Sequence, residues 1–184
     1  MLPARKLLIA VLCVGGLVTL TSLPAVAATA TATVTGGTLG FVSVPANTGF
    51  NVTLTGLNQV VTSTQTFDVG DATGSGSGWN ITATSTAFTT GAKSLANTSV
   101  TVAAVPTVAC DSGASCTAAT NGTSYPYTLP AAATAPTATK IFNSAANTGL
   151  GNQTVTLVFS LAIPANAFAG SYSSTWTYTL VSGP

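Results

Sequence analysis

Between Thr154 and Ile163 a large apolar side chain occupies every second position: Val155, Leu157, Phe159, Leu161 and Ile163. Thr154, Thr156 and Ser160 stand between them. A period of two sends these sets to opposite faces of an extended chain, and it does not fit a helix, whose faces repeat about every 3.6 residues. The pattern returns near the C-terminus, where Tyr172, Trp176, Tyr178 and Leu180 share one side and Ser173, Thr175, Thr177 and Thr179 the other. Both segments read as half-buried antiparallel strands. Weaker strand candidates are Val34 with 38–44, then 51–55, 59–69, 79–88 and 99–108. About seven short strands separated by Gly and Asn turns predict an all-β chain, an antiparallel β-sandwich of immunoglobulin-like or Greek-key type.

Charge then narrows the function. The 184 residues include 4 Lys and Arg, 3 acids and no His, so 4% is charged, against about a quarter in an ordinary soluble domain. The acids are Asp68, Asp71 and Asp111. Without His or Glu the usual general bases and the commonest metal ligand are missing, so the expectation is no catalytic residue, no metal, no cofactor and no enzyme. No basic run exists beyond the first few residues to neutralise phosphates, which excludes nucleic acid as a partner. The first 27 residues read as a signal peptide: Arg5 and Lys6, an apolar stretch from Leu7 to Leu20, and Ala25-Val26-Ala27 as the cleavage site after Pro24. An uncleaved anchor is the alternative; a lipoprotein at Cys13 is disfavoured by Leu12 in the preceding place. Cleavage leaves a domain of 28–184 with no stable membrane insertion, its charges reduced to Lys93 and Lys140 against the three Asp.

Cleavage also removes Cys13, and the remaining pair, Cys110 and Cys116, is expected to form a disulfide in an exported chain. Reactive or metal-binding thiols are the alternative, and they lack a third ligand nearby. From Cys110 to Lys140 the chain is rich in Ala, Pro and Thr and reads as a long loop or arm pinned by that bridge. Asp68 and Asp71 beside the glycine-rich turn 70–78 read as turn and capping residues, with calcium ligation the competing reading. Thr-x-Thr pairs along the strands fill outward positions, and flat ice-binding arrays are the competing reading there.

Three segments carry a resemblance. The first runs from Gly36 to Pro45 (GGTLGFVSVP), the second from Val69 to Thr82 (VGDATGSGSGWNIT), and the third from Gly170 to Pro184 (GSYSSTWTYTLVSGP). In order and spacing they are similar to the opening strand and the two Trp-x-Leu motifs of the WxL domain, a family of secreted surface proteins of Gram-positive bacteria. Ile81 stands in the Leu place of the first motif, Thr73 where the family usually has Arg, and Tyr178 and Leu180 in the Trp and Leu places of the second. The chain thus resembles a divergent member. The resemblance implies export to the cell surface, a β-sandwich, and non-covalent attachment to peptidoglycan or another wall glycan, often beside other surface proteins. It assigns wall contact to Trp79, Ile81, Tyr178 and Leu180, with Trp176 two residues before its expected place, and gives Asp71, Gly78 and Tyr172 supporting places in the motifs.

The residues themselves leave two readings of these aromatics open. Aromatic faces bind sugars by stacking against C–H groups. Yet Trp176 and Tyr178 share a face with Leu180, and Trp79 with Ile81, which is how core residues are spaced. The functional expectation is a secreted, non-enzymatic wall-binding protein. The alternative is a self-assembling subunit of a surface layer or filament, since a neutral Thr-faced β domain has little charge to oppose edge pairing. The sequence ends at Pro184 without an apolar tail, so no covalent anchoring is expected.

Overall fold

The alternation at 154–163 becomes the central strand of the molecule. In a computed structural model, which describes residues 29–43 and 48–184, this strand is β11 (Gly151–Ile163), and its odd positions from Gln153 to Ile163 are all buried. It lies antiparallel to β2 (Gln59–Asp71), in register from Gly151↔Asp71 to Ile163↔Gln59. β1 (Leu39–Ser43) continues the sheet beyond β2. On the other edge of β11 two short strands lie end to end, β6 (Val100–Val102) on Phe159–Leu161 and β7 (Thr107–Cys110) on Gln153–Thr156. β8 (Tyr127–Thr128) pairs with β6 and completes six strands.

A second sheet centres on β3 (Trp79–Thr86), flanked by β10 (Thr139–Ser144) and β12 (Trp176–Ser182), both antiparallel. β9 (Ala131–Ala132) adds a short parallel pairing at the end of β3. A small hairpin, β4 (Thr89–Thr90) with β5 (Lys93–Ser94), stands apart from both sheets. The sheets close on one core: Phe67, Val155, Leu157 and Phe159 of the first meet Trp79, Ile81, Phe142 and Ala83 of the second. Rings interlock across the gap, Phe67 against Tyr178 at 4.8 Å and Phe159 against Trp176 at 4.9 Å, both edge to face. The protein is therefore all-β among the described residues, an antiparallel two-sheet sandwich built as a compact unit over Thr35–Pro184. Residues 29–34 form no regular element. The expected signal peptide, 1–27, and Val44 and Pro45 of the first resembling segment lie outside the described residues.

Four details differ from the sequence reading. Residues 51–55 form no strand; Val52 and Leu54 remain 37% and 38% exposed and line a groove instead. The stretch 99–108 splits into β6 and β7 across 103–106, a break that ends at Pro106, which has no N–H to donate to a sheet ladder. β12 begins at Trp176, and the chain before it meets the β4 hairpin through Thr89↔Ser173. The fourth is β10, which lies at the end of the segment read as a loop or arm. Its register shifts between Lys140 and Phe142, so Ile141 and Phe142 are both buried side by side and no alternation is visible. The rest of 110–140 is tied to the sandwich: Leu129 has no exposed surface, Thr84 Oγ1 donates to Pro136 O at 2.6 Å, and Tyr125 Oη donates to Ile141 O at 2.6 Å. Cys110 and Cys116 form the expected disulfide. It closes a local excursion whose far end is held by Thr117 N–H on Leu150 O at 2.9 Å.

Candidate functional site

The first motif begins where β2 ends. Asp71 Oδ1 accepts the N–H of Thr73 at 3.0 Å and its hydroxyl at 2.6 Å. Thr73 Oγ1 accepts from Ser75 N–H, and Ser75 Oγ from Ser77 N–H, so each side chain supports the next step of the glycine-rich turn. The turn ends at Gly78, with φ at 72°, where a Cβ would lie 2.5 Å from Ser144 O and 2.8 Å from Ala145 O. Only glycine fits there. The chain then enters β3 with Trp79 facing inward.

Trp79 and Ile81 have no exposed surface. The Trp79 indole stacks on Phe142 at 5.5 Å, and its Nε1–H donates to Gly149 O at 2.9 Å, so its one polar atom is satisfied inside the core. In this conformation neither side chain offers area to a ligand, and the first motif acts as a keystone between β3, β10 and the turn before β11.

The second motif is placed differently because β12 is an edge strand, paired to β3 on one side. Trp176, Tyr178 and Leu180 face the core but remain half-buried, while Thr177 and Thr179 are exposed. Tyr178 Oη donates to the buried Gln65 Oε1 at 2.6 Å, and burial pushes its phenol well above the ordinary tyrosine range, so it stays a proton donor. Trp176 is the centre of an aromatic cluster with Phe50 at 6.2 Å, Phe88 at 6.3 Å and Phe159 at 4.9 Å. Its Nε1–H donates to Ser174 Oγ at 2.9 Å.

The chain on either side of this cluster also builds a groove of about 440 Å³, open on one side. Val52 and Leu54 follow Phe50, Leu95 donates its N–H to Phe88 O, and Ile163, Phe168 and Tyr172 complete the wall. Tyr172 Oη donates to Phe168 O at 3.1 Å. Phe168 is 58% exposed, and the Lys93 ammonium sits 4.1 Å from its ring centroid. Of these groove residues the sequence gives only Tyr172 a place in a motif, and Ile163 one on a strand face. Phe168 is the lone large apolar residue within Pro164–Gly170, a stretch otherwise of small residues and Asn, and that isolation is the signal that could have found it.

The two candidate calcium ligands do not meet. Asp71 points inward and is taken up by Thr73, whereas Asp68 faces outward from β2 and lies beside Asp111, whose Oδ1 also accepts from Thr154 Oγ1 at 2.8 Å. Burial, then the charge and hydrogen bond of Asp111, raise the Asp68 carboxyl above the usual carboxylate range. No helix among the described residues is long and apolar enough to cross a membrane.

Comparison with known proteins agrees with the two motifs. The family model of the WxL domain, described as surface cell wall-binding, matches residues 31–184. No curated protein matches the chain, and no solved structure does. With nearly all of the sandwich covered by that match, the chain belongs to the WxL domain family of surface cell wall-binding proteins.

Proposed function

We propose that this is an exported, non-enzymatic protein that holds to peptidoglycan non-covalently, after loss of residues 1–27, through the aromatic end of its sandwich. The observation that carries this reading is the half-buried cluster around Trp176, joined through Phe88 and Leu95 to a groove walled by the exposed Phe168. Exposed aromatics at the mouth of a concave site supply contact area at low entropic cost. Trp176 packs with Phe50 and Phe88 at this end, and Tyr178 and Leu180 follow it along the half-buried face of β12. Trp79 and Ile81, wholly buried, act by fixing β3, against which β12 is laid. The absence of His and Glu supports a binder rather than a hydrolase.

The test is co-sedimentation of the mature protein with purified peptidoglycan sacculi at moderate salt. Wild type is expected in the pellet, and Phe168→Ala, which removes an exposed side chain, is expected to shift towards the supernatant with unchanged melting temperature. Wild-type protein that stays in solution would overturn the reading.

A second reading, self-assembly into a surface layer or filament, is favoured by one observation. β12 has a single paired edge, and its outward residues Thr177, Thr179 and Val181 are exposed and uncharged. Such an edge is open to strand addition by another copy. Sedimentation velocity at high concentration tests it; a strictly monomeric profile rejects it.

A further inference from the structure

The groove beside Trp176 has a chemistry of its own. Its lining side chains are mostly apolar, from Val52, Leu54, Leu95, Ile163 and Phe168; the polar side-chain groups are the Thr53 hydroxyl and the Tyr172 phenol, and the phenol already gives its proton to Phe168 O. A sugar ring carries more hydroxyls than these two groups can serve, and leaving the remainder unpartnered is costly. Small methyl-bearing residues would meet no such penalty. The groove's volume of about 440 Å³ lies within the range of small-ligand sites.

Charge adds direction. Lys93 stands at the rim over Phe168, and among the described residues no carboxylate pairs with it. The three acids all gather at the far end of the β2–β11 pair: Asp71 opposite Gly151, Asp68 opposite Thr154, and Asp111 bonded to Thr154. Ile163, which lines the groove, is nine residues along β11 from Thr154, the nearest of these positions, roughly 30 Å at the rise of an extended strand. That exceeds the Debye length of about 8 Å several times over, so none of the three Asp side chains offsets Lys93 for an incoming anion.

From this juxtaposition of an apolar groove with one unopposed ammonium, we propose that the groove takes the peptide part of the wall polymer: a short alanine-rich peptide whose free carboxylate is received by Lys93, its methyl groups seated against Val52, Leu54 and Ile163. The inference rests on the peptidoglycan-binding reading and names which component of the polymer enters the groove.

The test uses isotope-labelled mature protein titrated, with NMR detection, against three probes: an alanine-rich tripeptide with a free C-terminal carboxylate, the same peptide as its C-terminal amide, and a peptide-free N-acetylglucosamine oligomer. The carboxylate peptide is expected to shift resonances of residues 52–54, 93–95 and 167–172. The amide is expected to bind roughly three- to tenfold more weakly, the worth of one partly exposed charge-assisted contact. Lys93→Gln should reproduce that loss, and Lys93→Arg should largely restore it. Ala169→Trp, placed on an exposed groove residue, should block the peptide without altering the melting temperature. Equal affinity for acid and amide, no binding of the peptide, or competition by the glycan oligomer at the same resonances would each overturn the proposal. Should sacculi still sediment the protein in any of those cases, the peptidoglycan-binding reading stands and only the peptide assignment fails.

Discussion

Replacing Gly149 by Ala tests whether the buried Trp79 is the keystone described above. Gly149 has φ at 80°, and a Cβ there would lie 2.5 Å from Trp79 Nε1 and against Ser144 Oγ. Its carbonyl is also the acceptor of the Trp79 indole N–H. Two costs follow. The left-handed backbone conformation costs an Ala side chain about 1 kcal/mol. Displacing the indole leaves a buried donor unpaired, which costs about 1–3 kcal/mol more. Gly74 supplies the control, because it too has positive φ, 65°, but a Cβ there meets nothing within 4 Å. Gly74→Ala should therefore show the backbone cost alone. Urea unfolding followed by tryptophan fluorescence measures both. Gly149→Ala should lose roughly 2–4 kcal/mol, equivalent in a domain of this size to roughly 5–15 °C in Tm. Two variants equally destabilised, or a Gly149→Ala protein within about 0.5 kcal/mol of wild type, would refute the argument that Trp79 is locked from the Gly149 side.

The outward pair Asp68 and Asp111 predicts a pH dependence of stability. Because the folded state raises the Asp68 carboxyl above its unfolded value, folding takes up a proton there. The stabilisation is fully present below the ordinary Asp value of about 3.9 and is lost as pH rises through the raised folded value. Asp68→Asn should therefore gain stability relative to wild type as pH increases through that window; melting curves that stay parallel at every pH would contradict this. Tyr178→Phe should cost about 1–2 kcal/mol by leaving Gln65 Oε1 buried without a donor, and an unchanged urea midpoint would count against that bond. Reducing Cys110–Cys116 should cost about 2 kcal/mol, since the bridged residues are only six apart. The near-UV circular dichroism should survive, because Thr117 on Leu150 and Cys110 opposite Gln153 hold the segment independently.

Where a strand kept one face wet, its place was legible in the sequence. β11 and β12 show their alternation directly, and the faces turned to the core, buried in β11 and half-buried in β12, are those the alternation names. Where backbone geometry broke the period, it was hidden: the bulge at Ile141 puts two apolar neighbours on the buried side and conceals β10. Pairing across the sandwich was also not readable, since nothing local tells Asp68 that Asp111 lies beside it, or Trp79 that Gly149 receives its N–H. The motif aromatics were legible as a set, but their division was not. Trp79 lies on the central strand of its sheet and Trp176 on an edge strand, and only the strand order separates them. The groove stayed hidden for a similar reason, because it joins residues 52–54, 95 and 163–172 from three distant parts of the chain.

In this protein one motif locks the core while the aromatic end is proposed to meet the wall. Hydrogen–deuterium exchange of the mature protein, free and bound to sacculi, tests it most directly. Added protection is expected at residues 50–54, 88–95 and 163–176, with the glycine-rich turn 72–78 unchanged. Protection centred on that turn, with the aromatic end exchanging as in the free protein, would contradict it.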